Sequence, residues 1–259
     1  MNYFRDKELR ARSAVEHTRQ MDTLFAEATK CGIEKTIFIY DKEVKEFHKD
    51  DFETQPTKFI LIEGFHQDHI EEICNEVGGI DTVVHNFASY KNPGGMYIEG
   101  SSAQEESLCS VSNLYNILRE QNMYYAYNRK HLNRGLYTNR ALYSPDVLFM
   151  GEGGDYNFFT RVLTCAAPNR SLIRYGRFTE EENDEALESR IEYIANALEY
   201  IGCKDFITGA FGCGVFRQDP YKVAYFFNKF LFEHPTLERV YFVIPKGKNY
   251  DIFKGVLGL

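Results

Sequence analysis

The sequence predicts a single α/β domain in which helices cover both faces of a central sheet. Two observations lead to this fold class. Short apolar, β-branched and aromatic runs alternate with longer segments of helical periodicity, and several of the short runs are apolar throughout. Strands that are apolar on both sides need cover on both faces, which gives a three-layer arrangement. No repeat or flexible linker divides the chain, so we expect one domain spanning residues 1–259.

The predicted order of elements begins with a helical segment. Residues 4–30 are charged and carry an apolar stripe, and Cys31 and Gly32 end them, so residues 1–33 are expected to form a helical extension packed on the domain. Strands are predicted at residues 36–40, 58–63, 81–87, 146–150, 161–166, 205–210 and 240–245. Helices are predicted at residues 66–77, 102–119, 179–201, 220–233 and 250–256.

One stretch, residues 122–143, shows no clear period. It is rich in Tyr and carries Arg129, Lys130, Arg134 and Arg140. We predict a long irregular insertion here. A functional loop and a packed surface loop explain it equally well.

The composition excludes several classes of protein. Hydrophobic residues make up 44% of the 259 and charged residues 26%, which is typical of a globular domain rather than a disordered one. The net charge of −8 argues against general nucleic-acid binding, because such binding needs clustered Lys and Arg. Six Cys without a CxxC pair, no signal-peptide pattern and no long apolar run predict a reduced, cytoplasmic protein without membrane association. We also expect a monomer.

Four residues with chemically suggestive side chains are interpreted as structural. His66 and His69 have the HxxH spacing of metal ligands but no third candidate nearby, so we interpret them as solvated helix residues and expect no metal. Cys213 lies between two glycines, and no His stands at a recognisable spacing for activating a nucleophile. His85 neighbours Asn86 on a strand, so it should point away from the ligand side.

A polar and glycine-rich segment follows the strand predicted at residues 81–87. The strand leads to Asn86 and Ser89 at its carboxyl end, which is the edge where ligands bind in open α/β sheets. Gly94 and Gly95 then form a turn in which the backbone can approach another group closely. Taken alone, the two glycines are a weak functional signal, and a plain turn explains them.

Two adjacent glutamates follow this turn. Ser102 and Glu105 have the spacing of a capping box, which places Glu105 and Glu106 in the first turn of a helix. Stabilisation of the helix end by about 1 kcal/mol is sufficient reason for acidic residues there. A catalytic acid would need a raised pKa, whereas the helix dipole lowers it; burial and a neighbouring carboxylate would raise it again. Taken alone, these residues favour helix-end stabilisation as the role of both glutamates.

A second glycine-rich loop, residues 209–216, follows an apolar strand that ends at Thr208. Asp219 as a cap and Pro220 as the first helical residue predict that a helix begins just after the loop. The backbone N–H groups of such a loop can hold an anion without any basic side chain, which suits a diphosphate ligand in an acidic protein. A strand-to-helix turn with no ligand is the alternative.

Together these segments resemble the microbial poly(ADP-ribose) glycohydrolases, a macro-domain-like family. The family pattern is three glycines, six to eight residues and Gln-Glu-Glu; here it reads Gly94-Gly95-Met96, seven further residues and Gln104-Glu105-Glu106. The resemblance covers nearly the whole chain. It takes in Glu16 and Thr18 in the N-terminal helix, residues 86–89, 143–147, 166–169 and 209–216, and the apolar strand ending at Pro245.

The resemblance implies a macro-domain-like fold with a mixed sheet, and hydrolysis of ribose–ribose O-glycosidic bonds to release ADP-ribose. Glu106 is the implied general acid and base, with Glu105 beside it, and the reaction needs no metal or cofactor. The implied partners are ADP-ribose and poly(ADP-ribose) or ADP-ribosylated macromolecules. The implied substrate-binding residues are Asn86, Ser89, Gly94, Gly95, Gln104, Gly209, Gly212, Cys213, Gly214, Val215 and Phe216.

Met96, in the third glycine place, departs from the family pattern. A methionine there would be strained or would block the sugar if the place needs a positive φ, and would change little otherwise. Two alternatives therefore stay open beside the glycohydrolase. One is an ADP-ribose-binding module with weak or no turnover, and the other is a hydrolase that removes mono-ADP-ribose from modified protein or nucleic acid.

Overall fold

The structure, a computed structural model, describes residues 3–46, 55–151 and 157–259. Its strands are β1 (Ile37–Tyr40), β2 (Lys58–Glu63), β3 (Thr82–Phe87), β4 (Arg140–Met150), β5 (Asn157–Cys165), β6 (Asp205–Thr208) and β7 (Arg239–Ile244). Within the described ranges these strands form one sheet in the order β1-β4-β5-β3-β6-β7-β2.

The sheet is mixed, as predicted. The strand β3 pairs in parallel with β5 and β6, and β7 pairs in parallel with β6 and β2, whereas β4 is antiparallel to both β1 and β5. Since β3 and β6 are parallel neighbours, the chain leaves Phe87 and Thr208 at the same edge of the sheet. The two glycine-rich segments, far apart in sequence, are thereby brought together.

Helices cover both faces of this sheet. One layer contains α1 (Tyr3–Thr23), α2 (Ala26–Lys35), α4 (His66–Val77), α5 (Gln104–Ser110), α6 (Leu114–Arg119) and α7 (Asn122–Lys130). The other contains α3 (Asp41–Glu46), α8 (Glu180–Tyr200), α9 (Pro220–Leu231) and α10 (Lys248–Leu257). Neighbouring residues of β3 serve the two layers, because Val83 belongs to the core under α8 and α9 and Val84 to the core under α4 and α5. This confirms the three-layer prediction.

None of the described helices is long and apolar enough to cross a membrane.

The single helix predicted at residues 102–119 is wrong, because the chain breaks into α5 and α6. The break lies at Asn113, whose backbone N–H donates to the Leu148 carbonyl and whose Oδ1 accepts from the Leu148 N–H, both at 3.0 Å. Asn113 therefore bonds to β4 as a strand residue would, and helical hydrogen bonding is interrupted there.

The irregular insertion predicted at residues 122–143 is also wrong. The segment contains α7, a short 3-10 helix at Asn133–Gly135 and the beginning of β4. Tyr124 and Tyr125 of α7 are buried in the core, and the Arg140 guanidinium lies 4.7 Å from the centre of the Tyr124 ring. Tyrosines form the buried face of α7. The helix is short and its sequence is polar, so no helical period is visible in the sequence.

The helix α1 packs closely against the chain between the glycine turn and α5. Its Arg10 Nε donates to the Gly100 carbonyl at 2.8 Å, and the Tyr97 hydroxyl donates to the Ala14 carbonyl at 3.4 Å. Gly100 has a φ of 77°, and a Cβ there would lie 2.8 Å from the Ala11 backbone nitrogen. Only glycine permits this approach.

Candidate active site

A cleft of about 340 Å³ opens where β3 and β6 end. Three segments form it: the chain that follows β3, the first turn of α5 and the loop 209–216. The lining residues are Phe87, Ala88, Ser89, Asn92, Gly95, Met96, Ser101, Ala103, Gln104, Glu105, Glu106, Ala210, Gly212, Gly214, Val215 and Phe216.

Most of the residues predicted to bind substrate line this cleft. They are Ser89, Gly95, Gln104, Gly212, Gly214, Val215 and Phe216, with both glutamates. Four predicted residues lie outside the lining: Asn86, Gly94, Gly209 and Cys213. The lining residues that sequence reasoning missed are neighbours of the motif positions, such as Phe87, Asn92 and Ala210. The motif shows which segments of the chain form the cleft. It does not show which residues of those segments face the cleft, because side-chain directions in a turn follow no regular period.

The helix α5 begins differently from the prediction, because no capping box forms. Its N-cap residue is Ala103, without a side-chain cap, and the helix begins at Gln104. The Gln104 Nε2 donates to the His85 carbonyl at 2.7 Å, and its Oε1 accepts from the Phe87 N–H at 2.8 Å. Gln104 thus bonds to the end of β3 as a neighbouring strand would. This contact fixes the position of the two glutamates that follow.

Glu105 is buried and held by donors from the chain around the end of β3. Its Oε2 accepts from the Ser89 N–H at 2.7 Å, and its Oε1 accepts from Asn86 Nδ2 at 3.3 Å. Burial raises the pKa of Glu105 to about 8; the Ser89 N–H opposes this rise, and the charge of Glu106 adds to it. Asn86 is itself buried behind Glu105. Its Nδ2 donates to this carboxyl and also to Thr164 Oγ1, the latter at 3.2 Å.

Glu106 is the glutamate more open to a ligand, since its side chain lines both the cleft and a second cavity beside it. Its Oε1 accepts from the Met96 N–H at 3.0 Å. A Cβ on Gly95 would lie 2.5 Å from this oxygen, and Gly95 has a φ of 62°. The glycine turn is therefore folded directly onto the Glu106 carboxyl.

The methionine in the third glycine place fits this arrangement. Positive φ values occur at Gly94 and Gly95, whereas Met96 is not among the described residues with positive φ. Its backbone N–H is the donor to Glu106, and its side chain is 44% exposed at the edge of the cleft. Met96 imposes no left-handed strain here.

The loop 209–216 presents its backbone to the cleft. Gly212 has a φ of 73°, and within the described residues the N–H groups of Gly214, Val215 and Phe216 have no hydrogen-bond acceptor. The loop leads into α9, where Asp219 Oδ1 accepts from the Tyr221 N–H at 2.9 Å and Pro220 is the first residue. This confirms the predicted helix start. Free amides beside a helix start are suited to a phosphate.

Two predicted loop residues have structural contacts instead. A Cβ on Gly209 would lie 2.5 Å from the Val243 carbonyl oxygen, so this glycine allows close packing behind the loop. The Cys213 Sγ donates to the Phe211 carbonyl at 3.7 Å, and burial raises the pKa of this thiol to about 12. A protonated thiol is a poor nucleophile, which agrees with the structural interpretation of Cys213.

Phe216 lies at the end of a row of aromatic rings. The centre of its ring is 6.1 Å from that of Tyr137, which stacks on Tyr90 at 4.2 Å. Tyr137 has a φ of 63°, in the left-handed region that non-glycine residues rarely adopt. The segment 122–143 therefore supports the cleft from behind. No pattern in residues 122–143 predicts the contact between the Tyr137 and Phe216 rings.

The histidines take structural positions. His85 Nδ1 lies 3.0 Å from Thr208 Oγ1, and its ring packs on Phe211, on the side of β3 opposite to Asn86, as predicted. His66 is buried, not solvated as predicted, because its ring packs against Phe87 at 5.2 Å. Burial lowers the pKa of His66 to about 4. Among the described residues no cluster of His, Cys, Asp and Glu has the arrangement of a metal site.

The fold and this site define the class of protein: a macro-domain-like hydrolase with two buried glutamates beside a glycine-lined cleft. The family model described as "Microbial-type PARG, catalytic domain" matches residues 5–152, more than half of the chain. The chain belongs to this family, the microbial-type poly(ADP-ribose) glycohydrolases.

Solved structures of poly(ADP-ribose) glycohydrolases are similar over nearly the whole chain. The enzyme from Thermomonospora curvata has a TM-score of 0.85 at 24% identity, covering 96% of this chain and 99% of that one. The same enzyme bound to the inhibitor ADP-HPD has a TM-score of 0.84, with the same identity and coverage. The Deinococcus radiodurans enzyme in complex with ADP-ribose has a TM-score of 0.78 at 25% identity, covering 89% and 96%. No curated protein sequence matches the chain significantly.

Proposed function

We propose that this glycohydrolase cleaves the ribose–ribose O-glycosidic bond of poly(ADP-ribose) to release ADP-ribose, with Glu106 as general acid and then base. One observation carries the proposal: a largely buried carboxyl that still lines the cleft lies directly beside a second, more deeply buried one. Such pairs are typical of sites that transfer a proton at neutral pH.

The glutamate pair supplies the proton. Two adjacent buried carboxyls resist double ionisation, so the pair retains one proton near pH 7, in line with the raised pKa of Glu105. When the proton leaves, the N–H donors of Ser89 and Asn86 stabilise the negative charge that forms on Glu105. We propose that this proton passes from Glu105 to the substrate through Glu106, the carboxyl that lines the cleft.

The reaction then balances with one water and no other reagent. Glu106 gives its proton to the leaving ribose oxygen as the bond from that oxygen to the anomeric carbon breaks, and an oxocarbenium-like centre develops. Water attacks this centre and returns a proton to Glu106, so the carboxyl ends as it began. The products are ADP-ribose and a polymer shortened by one unit.

The loop and the glycine turn supply the binding contacts. We assign the diphosphate to the amides of Gly214, Val215 and Phe216, whose N–H groups are unused within the described chain. The Phe216 ring, supported by Tyr137, packs against the distal ribose. Gly95 lets this sugar approach Glu106, since any side chain there would occupy the space.

A panel of substrates tests the proposal against hydrolysis of mono-ADP-ribose. The purified protein is given poly(ADP-ribose), a mono-ADP-ribosylated serine peptide and an ADP-ribosylated DNA end, and released ADP-ribose is quantified by chromatography. We expect release from the polymer at a kcat/KM at least about tenfold above the other two, which equals about 1.4 kcal/mol of transition-state preference. Faster release from either mono-modified substrate would contradict the proposal.

We further propose that the protein works as a monomer in a reducing, cytoplasmic compartment. All six of its cysteines are free, and four of them are buried, which supports a reducing environment. Light scattering on the purified protein tests the monomer, and fractionation of the source cells tests the compartment.

A further inference from the structure

A second cavity of about 390 Å³ lies beside the cleft, between α1 and α5. The two spaces share Glu106 and Ser101. The Glu106 carboxyl is thus a wall common to both spaces. The lining of the second cavity is Arg10, Ser13, Ala14, His17, Tyr97, Ser101, Ser102, Glu106, Ser107 and Ser110.

The far wall of this cavity is held in place. Arg10 Nε donates to the Gly100 carbonyl at 2.8 Å, so the α1 face is tied to the chain that leads to Glu106. The His17 Nε2 lies 2.9 Å from the Ser112 carbonyl oxygen just beyond α5. Both side chains span from α1 to the segment carrying the glutamates. The cavity is a built feature of the fold.

The lining has the chemistry of a site for a polar, anionic group. Serine hydroxyls from α1, from the loop that precedes α5 and from α5 itself can donate and accept hydrogen bonds. Arg10 brings a guanidinium, and none of the ion pairs among the described residues includes it. Arginine without a carboxylate partner is suited to phosphate oxygens.

The chemistry of poly(ADP-ribose) indicates which part of the substrate lies on this side of Glu106. The general acid stands between the sugar that is attacked and the oxygen that leaves. In poly(ADP-ribose) the leaving oxygen is a ribose hydroxyl of the next unit, and that ribose carries an adenine and a diphosphate. A small leaving group, such as a serine side chain, brings neither.

We propose that this cavity is a subsite for the leaving unit and takes its adenosine diphosphate portion, with Arg10 contacting the phosphates. The inference rests on the proposed function, because it assumes that Glu106 protonates the leaving oxygen. It adds a reason for the chain to prefer polymer over small leaving groups: part of the binding free energy comes from beyond the scissile bond.

Two substrates that differ only in the leaving group test the subsite. One is a dimer of ADP-ribose units with the native linkage, and the other is ADP-ribose carrying p-nitrophenol at the anomeric carbon. For Arg10→Ala we expect KM for the dimer to rise about tenfold, as for loss of one charge-assisted contact, with a far smaller change for the p-nitrophenyl substrate. Arg12→Ala is the matched control, because Arg12 lies on the same helix, exposed and paired with Glu8. It should behave as the wild type with both substrates.

Ser13→Tyr provides a second variant that does not disturb the Arg10 contact with Gly100. Ser13 is an exposed residue of α1 that lines the cavity, so the larger ring should fill the space and raise KM for the dimer selectively. Unchanged dimer kinetics in both variants would overturn the subsite. Equal losses with both substrates would also overturn it, because Arg10 would then act only by holding the chain near Glu106. A wild-type protein inactive on the dimer would instead contradict the proposed function itself.

Discussion

Gly95 and Glu106 lie so close that a Cβ on Gly95 would be 2.5 Å from the Glu106 Oε1 atom. The next residue, Met96, donates its backbone N–H to the same oxygen at 3.0 Å. One turn therefore both leaves room for the carboxyl and fixes its position. This relationship explains why the second place of the motif must be glycine while the third accepts a methionine.

Gly95→Ala should cost about 100-fold in kcat for ADP-ribose release. The added methyl group displaces the Glu106 carboxyl, and small displacements of a catalytic group have effects of this size. Gly255→Ala in α10 is the control, because a Cβ there meets nothing within 4 Å. Steady-state kinetics give kcat for both variants. A near-normal kcat in Gly95→Ala would show that the position of the Glu106 carboxyl does not depend on the absence of a side chain at Gly95.

Met96→Gly should change kcat by no more than about twofold, the size expected for a half-exposed side chain without strain. The backbone N–H that contacts Glu106 remains in the variant. Parallel assays of the two proteins on poly(ADP-ribose) measure the effect. A large gain in turnover would instead support a binding module whose catalysis is weakened by this methionine.

The buried Glu105 should make stability depend on pH. Its pKa rises from 4.5 to about 8 on folding, so the native state keeps a proton that the unfolded chain loses, and the free energy of unfolding falls as pH rises through this range. Glu105→Gln removes this pH-dependent contribution to the free energy of unfolding. The free energy of unfolding of the variant minus that of the wild type should increase steadily from pH 5 to pH 8 in urea titrations. A constant difference would mean that Glu105 is ionised throughout.

Tyr137 should act as a positioning residue for Phe216. Tyr137→Ala removes the ring packed between Tyr90 and Phe216, and we expect KM for the polymer to rise about tenfold with a smaller change in kcat. Tyr137→Phe keeps the ring and should restore KM. Tyr175→Ala, at an exposed tyrosine, serves as the control. If the Phe variant were as impaired as the Ala variant, ring packing would not be the reason.

The sequence predicted the layers and most of the elements, because their signals are local, whereas the mixed sheet followed from the family resemblance. The bounds of α4 and β2 match the prediction, and Asp219 caps α9 as expected. The predictions that failed depend on contacts between distant residues. The helix break at Asn113 comes from its pairing with Leu148, and no local pattern announces that bond.

The candidate site shows the same division. The capping-box spacing of Ser102 and Glu105 placed Glu105 and Glu106 in a first helical turn, where the structure has them. It predicted a capping role for Glu105, but burial and the Ser89 N–H take this side chain into the interior. The aromatic support from Tyr90 and Tyr137 comes from a segment without periodicity, so only the folded chain reveals it.

Catalysis by the proposed mechanism depends most on Glu106, and Glu106→Gln tests the role of this residue directly. Glutamine preserves the shape and can still accept the Met96 N–H, but it cannot give or take the proton. We expect release of ADP-ribose from poly(ADP-ribose) to fall at least about 100-fold, while calorimetry shows ADP-ribose binding within about threefold of the wild type. Release at the wild-type rate by a correctly folded Glu106→Gln protein would contradict the assignment of Glu106 as the acid and base.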